Sequence, residues 1–243
     1  DITLFVPFSS VEKACEAVSA VFRAGIIPSA LEFIERDAID WTLKYTDVKL
    51  QINDDVKAHL LIEVDGNDMD VLYKECERIF EVMQEFECGE ILLADSETQK
   101  NQLWQLRRAI GEAVKSNSIY KEEDTVVPRA ELAKLLKGVK AVGKQYGFQS
   151  VCYGHAGDGN LHINIIKGEM SDEDWNKKLT LGIREIFELT KSLGGTLSGE
   201  HGIGLVQKDY MDIVFCEKAL NLQKGIKNLF DPNGILNPGK ILK

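Results

Sequence analysis

The sequence predicts an α+β fold: two ferredoxin-like split β-α-β halves forming an antiparallel sheet with helices on one face, plus an extended C-terminal tail. Three observations carry the prediction. Residues 1–95 alternate β-prone runs with amphipathic helices in the order β-α-β-(α)-β-α-β. A partial repeat of that order follows over 96–200, without visible identity between the halves. The helical runs carry start and stop signals of their own.

"DITLFVPF" (1–8) is β-rich. The run from Ser9 places serines at a helix start, Glu12 in the first turn and apolar residues at 11, 14, 18, 21 and 22, and ends on Gly25. That spacing describes an amphipathic helix. "PSALEFIER" is a strand, "DAIDWTLKY" a short helix, "NDD" (53–55) a turn and "AHLLIEVDG" (58–66) a strong strand. A second amphipathic helix begins near Asn67 or Asp68, and "EILLAD" closes the first half as a strand. Residues 96–117 link the halves as a helix opened by Ser96. "EDTVVP" is strand-like, "RAELAKLLKGVKAVGKQYG" a helix ended by Gly147, and "FQSVCYG" and "NLHINII" are strands. Ser171 caps the next helix, with acids at 172–174 complementing its dipole. "TLSG" then supplies a short edge strand. Residues 1–229 are therefore expected to form the main body, in halves of about 1–95 and 96–200. The tail, 230–243, should lie extended over another surface through Phe230, Ile235, Leu236, Ile241 and Leu242.

Composition narrows the function. The 243 residues carry 29 Lys and Arg against 39 Asp and Glu, a formal charge of −10. No basic stripe exists to displace phosphate counterions, which argues against nucleic acid as a partner. No apolar run approaches the ~20 residues of a transmembrane helix, and no signal peptide is recognised. Five cysteines scattered singly favour reduced thiols in a reducing compartment. A cytoplasmic location follows, free or peripheral to a membrane. Asp1 falls straight into a strand, so the chain is expected to be a piece of a longer protein cut at a domain boundary.

Three of the four histidines sit in two glycine-rich runs, "YGHAGDGNLHINI" (153–165) and "SGEHGIG" (198–204). In the first, a turn over 156–160 supplies the positive-φ positions of a hairpin and brings His155 close to His162. Alternation puts His162 and Asn164 on one face and Leu161, Ile163 and Ile165 on the other. His-x6-His with a distant carboxylate, Glu200, leaves coordination positions open, as a catalytic divalent-metal site requires. Cysteine is absent from both runs, which argues against a closed structural zinc site. His201 would point elsewhere and could act as a base near neutral pH. His59, alone in "VKAHLLIEV", reads as structural. "GDGNLH" lacks the spacing of a phosphate cradle, and a strand rather than a helix follows it. "LWQLRRAIGEA" carries adjacent arginines, suited either to a carboxylate substrate or to an exposed pairing with Asp or Glu. Lys121 is a further possible anion contact.

The motifs "YGHAGDGNLHINI", "SGEHGIG", "LWQLRRAI", "DTVVPRAEL" and "FDPNGILNPGKIL" together resemble the C-terminal cap portion of FAD-linked oxidases of the vanillyl-alcohol oxidase superfamily, such as D-lactate dehydrogenases, glycolate oxidase FAD subunits and D-2-hydroxyglutarate dehydrogenases. The motifs run in order from about residue 103 to the end; residues 1–95 are less distinctive. The resemblance implies a D-2-hydroxyacid oxidoreductase whose FAD binds mainly to an N-terminal domain absent from this chain. By position, His155, His162 and Glu200 would hold zinc or a manganese- or iron-like ion. Arg107 would pair with the substrate carboxylate, Asn164 would touch substrate, and His201 would take the hydroxyl proton as hydride passes to flavin. Asn237 would return to the flavin with the tail. The electron acceptor is left open: quinone, an electron-transfer flavoprotein or partner iron–sulfur subunits are all compatible. Where the hydroxyglutarate enzymes carry a lysine two residues before the strand aspartate, this chain has Glu122. That favours a small substrate such as lactate or glycolate. Two other readings remain: a stand-alone metalloenzyme without flavin, and a non-catalytic ferredoxin-like module with structural histidines.

Overall fold

The computed structural model describes residues 1–242. Its first half runs β1 (Ile2–Phe8), α1 (Val11–Arg23), β2 (Ala30–Glu35), α2 (Arg36–Tyr45), β3 (Ala58–Val64), α3 (Met69–Gln84) and β4 (Leu92–Ala94). After the linking helix α4 (Glu97–Asn117) come β5 (Tyr120–Val126), α5 (Leu132–Tyr146), β6 (Gln149–Gly154), β7 (Asn160–Ile166) and α6 (Asp172–Ser192). Short α7 (Met211–Val214) and longer α8 (Glu217–Phe230) precede the tail. The expected helix starts are visible as capping bonds: Ser10, Ser96 and Ser171 each accept from the backbone N–H three residues on. Gly147 closes α5 in the left-handed conformation.

Among the described residues the strands form one seven-stranded sheet ordered β4-β1-β3-β2-β6-β7-β5, and every pairing is antiparallel. Order β4-β1-β3-β2 in the first half is answered by β5-β7-β6 in the second, so β2 and β6 occupy equivalent places and join the halves. The seam is short, with Phe33 opposite Gly154 and Ile34 opposite Tyr153. "TLSG" supplies the second half's fourth strand position, reduced to one bridge between Val126 and Thr196.

Strand alternation sorts the sheet into two faces. Ile2, Leu4, Val6, Leu60, Ile62, Cys152, Leu161, Ile163 and Ile165 pack with residues of α1, α3, α5 and α6 in the larger core. These four helices share one face, as the ferredoxin-like pattern predicts. One layer is added to that prediction. On the opposite face, α2 and α4 cover Phe5, Ile34, Leu61, Val151 and Tyr153 through Ala38, Ile39, Leu103, Leu106 and Ile110. The candidate chemistry sits on this second face, whose polar remainder the two helices leave open.

The tail bends back on the loop after residue 203. Ile241 N donates to Gly204 O, Lys208 Nζ donates to Gly239 O, and Asp231 accepts from the amides of Ile235 and Leu236. Phe230, Ile235 and Leu236 stay exposed, while Ile241 and half-buried Leu242 line a hollow with Met211 and Leu220. One stripe of α8, a helix to which no element was assigned from sequence, is likewise bare. Leu222, Ile226, Leu229 and Phe230 are 70%, 60%, 78% and 79% exposed.

Candidate active site

Register places the polar row. In the β5-β7-β6 ladder, Asp124 and Tyr153 flank His162, while Glu122 and Val151 flank Asn164. A three-residue helical turn over Ala156–Asp158 and Gly159 at φ 77° join β6 to β7. A side chain at 159 would overlap Val127 O, so glycine is required there for space as well as for backbone angle. The hairpin sets the rings of His155 and His162 edge-to-face, with centroids 5.7 Å apart.

Glu200 arrives from the second glycine run. Its Oε1 lies 3.5 Å from His155 Nε2 and 3.3 Å from His162 Nε2. A nitrogen, a nitrogen and a carboxylate oxygen thus converge, all within 4.8 Å of one another. Donors bound to one zinc at about 2.0–2.1 Å stand about 3.3 Å apart in tetrahedral geometry, so this set fits a divalent ion. His162 Nδ1 is buried without a hydrogen-bond partner, 3.8 Å from Glu122 Oε1 and 3.9 Å from Asp124 Oδ1. Burial lowers its pKa to about 4, so near neutrality it is the neutral imidazole that ligation requires. The His201 ring stacks on His162 at 5.1 Å and is exposed to the open side. Glu122, His162 and His201 form a second converging set that shares His162 with the first.

The loop carrying Glu200 and His201 is held by one buried carboxylate. Asp124 Oδ2 accepts from the amides of Gly199 (2.8 Å), Glu200 (2.7 Å) and His201 (2.8 Å) and from Ser198 Oγ (3.2 Å). Its Oδ1 accepts from Asn160 Nδ2 at 2.6 Å. Burial would raise the Asp124 pKa, but the amides of His201 and Glu200 and the Asn160 side chain outweigh it and hold it below the usual value. A Cβ at Gly199 would strike Asn160 Nδ2, which is why the loop passes there as glycine.

Arg107 reaches the site from α4, where it is engaged by the protein's own groups. Its Nε donates to Glu32 Oε2 at 2.9 Å, Nη2 lies 2.8 Å from the same oxygen, and the guanidinium covers the Tyr153 ring at 5.1 Å. Glu32 Oε1 meets His155 Nδ1 at 2.7 Å. Burial opposes ionisation of Glu32, yet the His155 hydrogen bond and the Arg107 charge keep its pKa below the ordinary value; the same bond raises that of His155. Asn164 is buried, and its amide donates to Val151 O at 3.4 Å. Tyr153 Oη faces Glu122 Oε1 at 3.5 Å, and burial raises the phenol pKa to about 12. Lys121, one residue out of phase, points to the other face and pairs with buried Glu123 at 3.2 Å. The position facing the site is therefore the acid Glu122.

His155, His162, Glu200, His201, Asn164 and Arg107 are thus gathered on one wall. Asn237 is not part of it. It lies in the exposed tail at φ 48°, with Lys240 on its side-chain oxygen. Sequence reasoning missed Glu32 and Asp124, which orient the other groups. The odd note in sequence was Glu32 between apolar neighbours in β2 and the run of charge over 121–124 that opens β5.

A family model described as FAD linked oxidases, C-terminal domain, matches residues 2–241. The chain is 32% identical to a D-lactate dehydrogenase of Anaerostipes hadrus, covering 99% of this chain and 52% of that protein. It is 31% identical to the glycolate oxidase subunit GlcD of Bacillus subtilis (98% and 50%), and 34% identical to a D-2-hydroxyglutarate dehydrogenase of Stutzerimonas stutzeri (88% and 46%). It spans about half the length of these relatives. Solved structures share the fold at low identity. p-Cresol methylhydroxylase with substrate bound has a TM-score of 0.69 at 15% identity, over 100% of this chain and 53% of that one. A 4-ethylphenol oxidase from Gulosibacter chungangensis has 0.68 at 12%, over 99% and 53%.

Proposed function

The chain belongs to the FAD-linked oxidase C-terminal domain family, and from that premise we propose that it forms the substrate- and metal-binding wall of a flavin-dependent 2-hydroxyacid dehydrogenase. The observation that carries this reading is the meeting of His155 Nε2 and His162 Nε2 on one Glu200 oxygen, beside Asn164 and Arg107. His155, His162 and Glu200 would hold a divalent ion. Such an ion binds an α-hydroxyl and its carboxylate together and lowers the hydroxyl pKa. His201, stacked on His162 and open to solvent, is the base placed to receive the hydroxyl proton. Arg107 spends its Nε edge on Glu32, which leaves the other side of the guanidinium for the substrate carboxylate. Bound FAD supplies the hydride acceptor, and the residues that bind it belong mainly to the upstream half of a longer protein. His155, Glu200 and His201 all remain accessible to such a half.

Glu122 favours a small monocarboxylate such as D-lactate or glycolate. A second substrate carboxylate would face the Glu122 carboxylate, with Arg107 and the ion already engaged by the first. The deciding experiment joins the natural upstream segment and follows flavin bleaching with D-lactate, glycolate and D-2-hydroxyglutarate, with and without chelator. Bleaching by one of the first two that is lost on chelation is expected. No bleaching with any of the three would sink the reading.

A further inference from the structure

We propose that Glu32, contributed by the first half of the chain, is a positioning residue that sets both the tautomer of His155 and the direction of Arg107. The metal role assigned to His155 rests on the reading above, while the tautomer assignment stands on geometry alone. Continuing the seam register beyond Phe33–Gly154 sets Glu32 opposite His155, across the junction of the halves. The carboxylate is buried and each oxygen has its own task. Oε1 meets His155 Nδ1 at 2.7 Å, and Oε2 accepts from Arg107 Nε at 2.9 Å with the charged Nη2 2.8 Å away.

An ionised carboxylate accepts hydrogen bonds and donates none, so the 2.7 Å contact requires the proton of neutral His155 to sit on Nδ1. That leaves the Nε2 lone pair facing Glu200, 3.5 Å away, where an ion would be bound. Without Glu32 the imidazole would be free to carry its proton on Nε2 and to turn. A carboxylate behind a ligating histidine is the usual means of fixing ring orientation, and losing it typically costs 10–100-fold in metal affinity. The same carboxylate draws one edge of Arg107 inward over Tyr153. One residue thus couples the ion-binding edge of the site to its carboxylate-binding edge.

The test uses this chain, labelled with 15N-histidine, in mildly alkaline buffer. In the wild-type chain, long-range proton–nitrogen correlations are expected to show His155 protonated on Nδ1; protonation on Nε2 would overturn the proposal without any variant. Glu32→Gln keeps shape and volume. Its one acceptor goes to the charged guanidinium, so its NH2 faces His155 and forces the Nε2–H tautomer. The expected result is an inverted tautomer and a zinc dissociation constant raised about 10–100-fold by calorimetric titration, in a chain whose circular dichroism is unchanged. Glu32→Ala should weaken zinc to a similar extent. His162→Ala identifies the zinc signal as this site's. A Glu32→Gln chain that keeps the Nδ1 proton and wild-type zinc affinity would refute the assignment. If the wild-type chain binds no zinc but its tautomer still follows Glu32, the metal reading fails and the positioning role stands.

Discussion

Asp124 shows how much one buried side chain can organise. Its Oδ2 gathers three successive amides of the loop that delivers Glu200 and His201. Asp124→Asn would turn an NH2 toward donors or forfeit the charge that attracts them. We expect a loss of about 2–3 kcal/mol in urea denaturation, with faster amide exchange over 199–201 than elsewhere. The native carboxyl pKa lies below its unfolded value, so Asp124 contributes its stability at higher pH and loses it as pH falls through the native value. His59 acts on a different limb. It is buried against the Phe5 ring (centroids 4.1 Å apart), its Nδ1 has no partner, and burial lowers its pKa to about 3. Unfolded, it takes up a proton near pH 6.5. Stability should therefore fall as pH drops from 6.5 toward 3, by up to about 5 kcal/mol from this group. His59→Phe should flatten that part of a stability-against-pH curve; an unchanged slope would show that other groups set it. The histidines and Asn164 were legible in sequence because glycine turns and strand alternation are local signals. Glu32 and Asp124 were not, because their partners lie 123 and 76 residues away and depend on strand register.

At the scale of elements, the hairpin between β6 and β7 is the part that tolerates least change. Gly159→Ala would force a side chain into both the left-handed backbone region and Val127 O. A cost of about 1–3 kcal/mol is expected in thermal or chemical unfolding, with zinc affinity reduced as His155 and His162 move apart. Equal affinity in that variant would mean the turn does not set their spacing. Most elements were readable within a few residues because capping serines and amphipathic spacing agree with the packing that follows. β5 begins at Tyr120, three residues before the expected run, because "YKEED" carries charge where a strand usually alternates. Those charges are the reason it matters: Glu122 and Asp124 face the site, while Lys121 and Glu123 pair behind it. α8 escaped assignment although Leu222, Ile226 and Leu229 keep helical spacing, since nothing in this chain covers them.

At the scale of the molecule, that bare stripe makes the isolated chain prone to associate. Replacing Leu222, Ile226 and Leu229 together with serine should change unfolding free energy little, since exposed positions away from caps and cores usually move it by no more than about 0.5 kcal/mol each. It should also shift sedimentation at high concentration toward the monomer. A large loss of stability would show that α8 packs on its own chain. Within the sheet the two halves pair only at Phe33–Gly154 and Ile34–Tyr153, although α1 and α5 share a core and Glu35 also pairs with Lys140 across the joint. Of the strand ladders in the sheet, this is the shortest and so has the fewest backbone bonds to break when pulled or warmed. Glu32 lies on one side of it, and His155 and Arg107 on the other. Whatever fills the site would act as a rivet across the shortest ladder of the sheet, so occupancy should be felt as resistance to shearing of one half from the other.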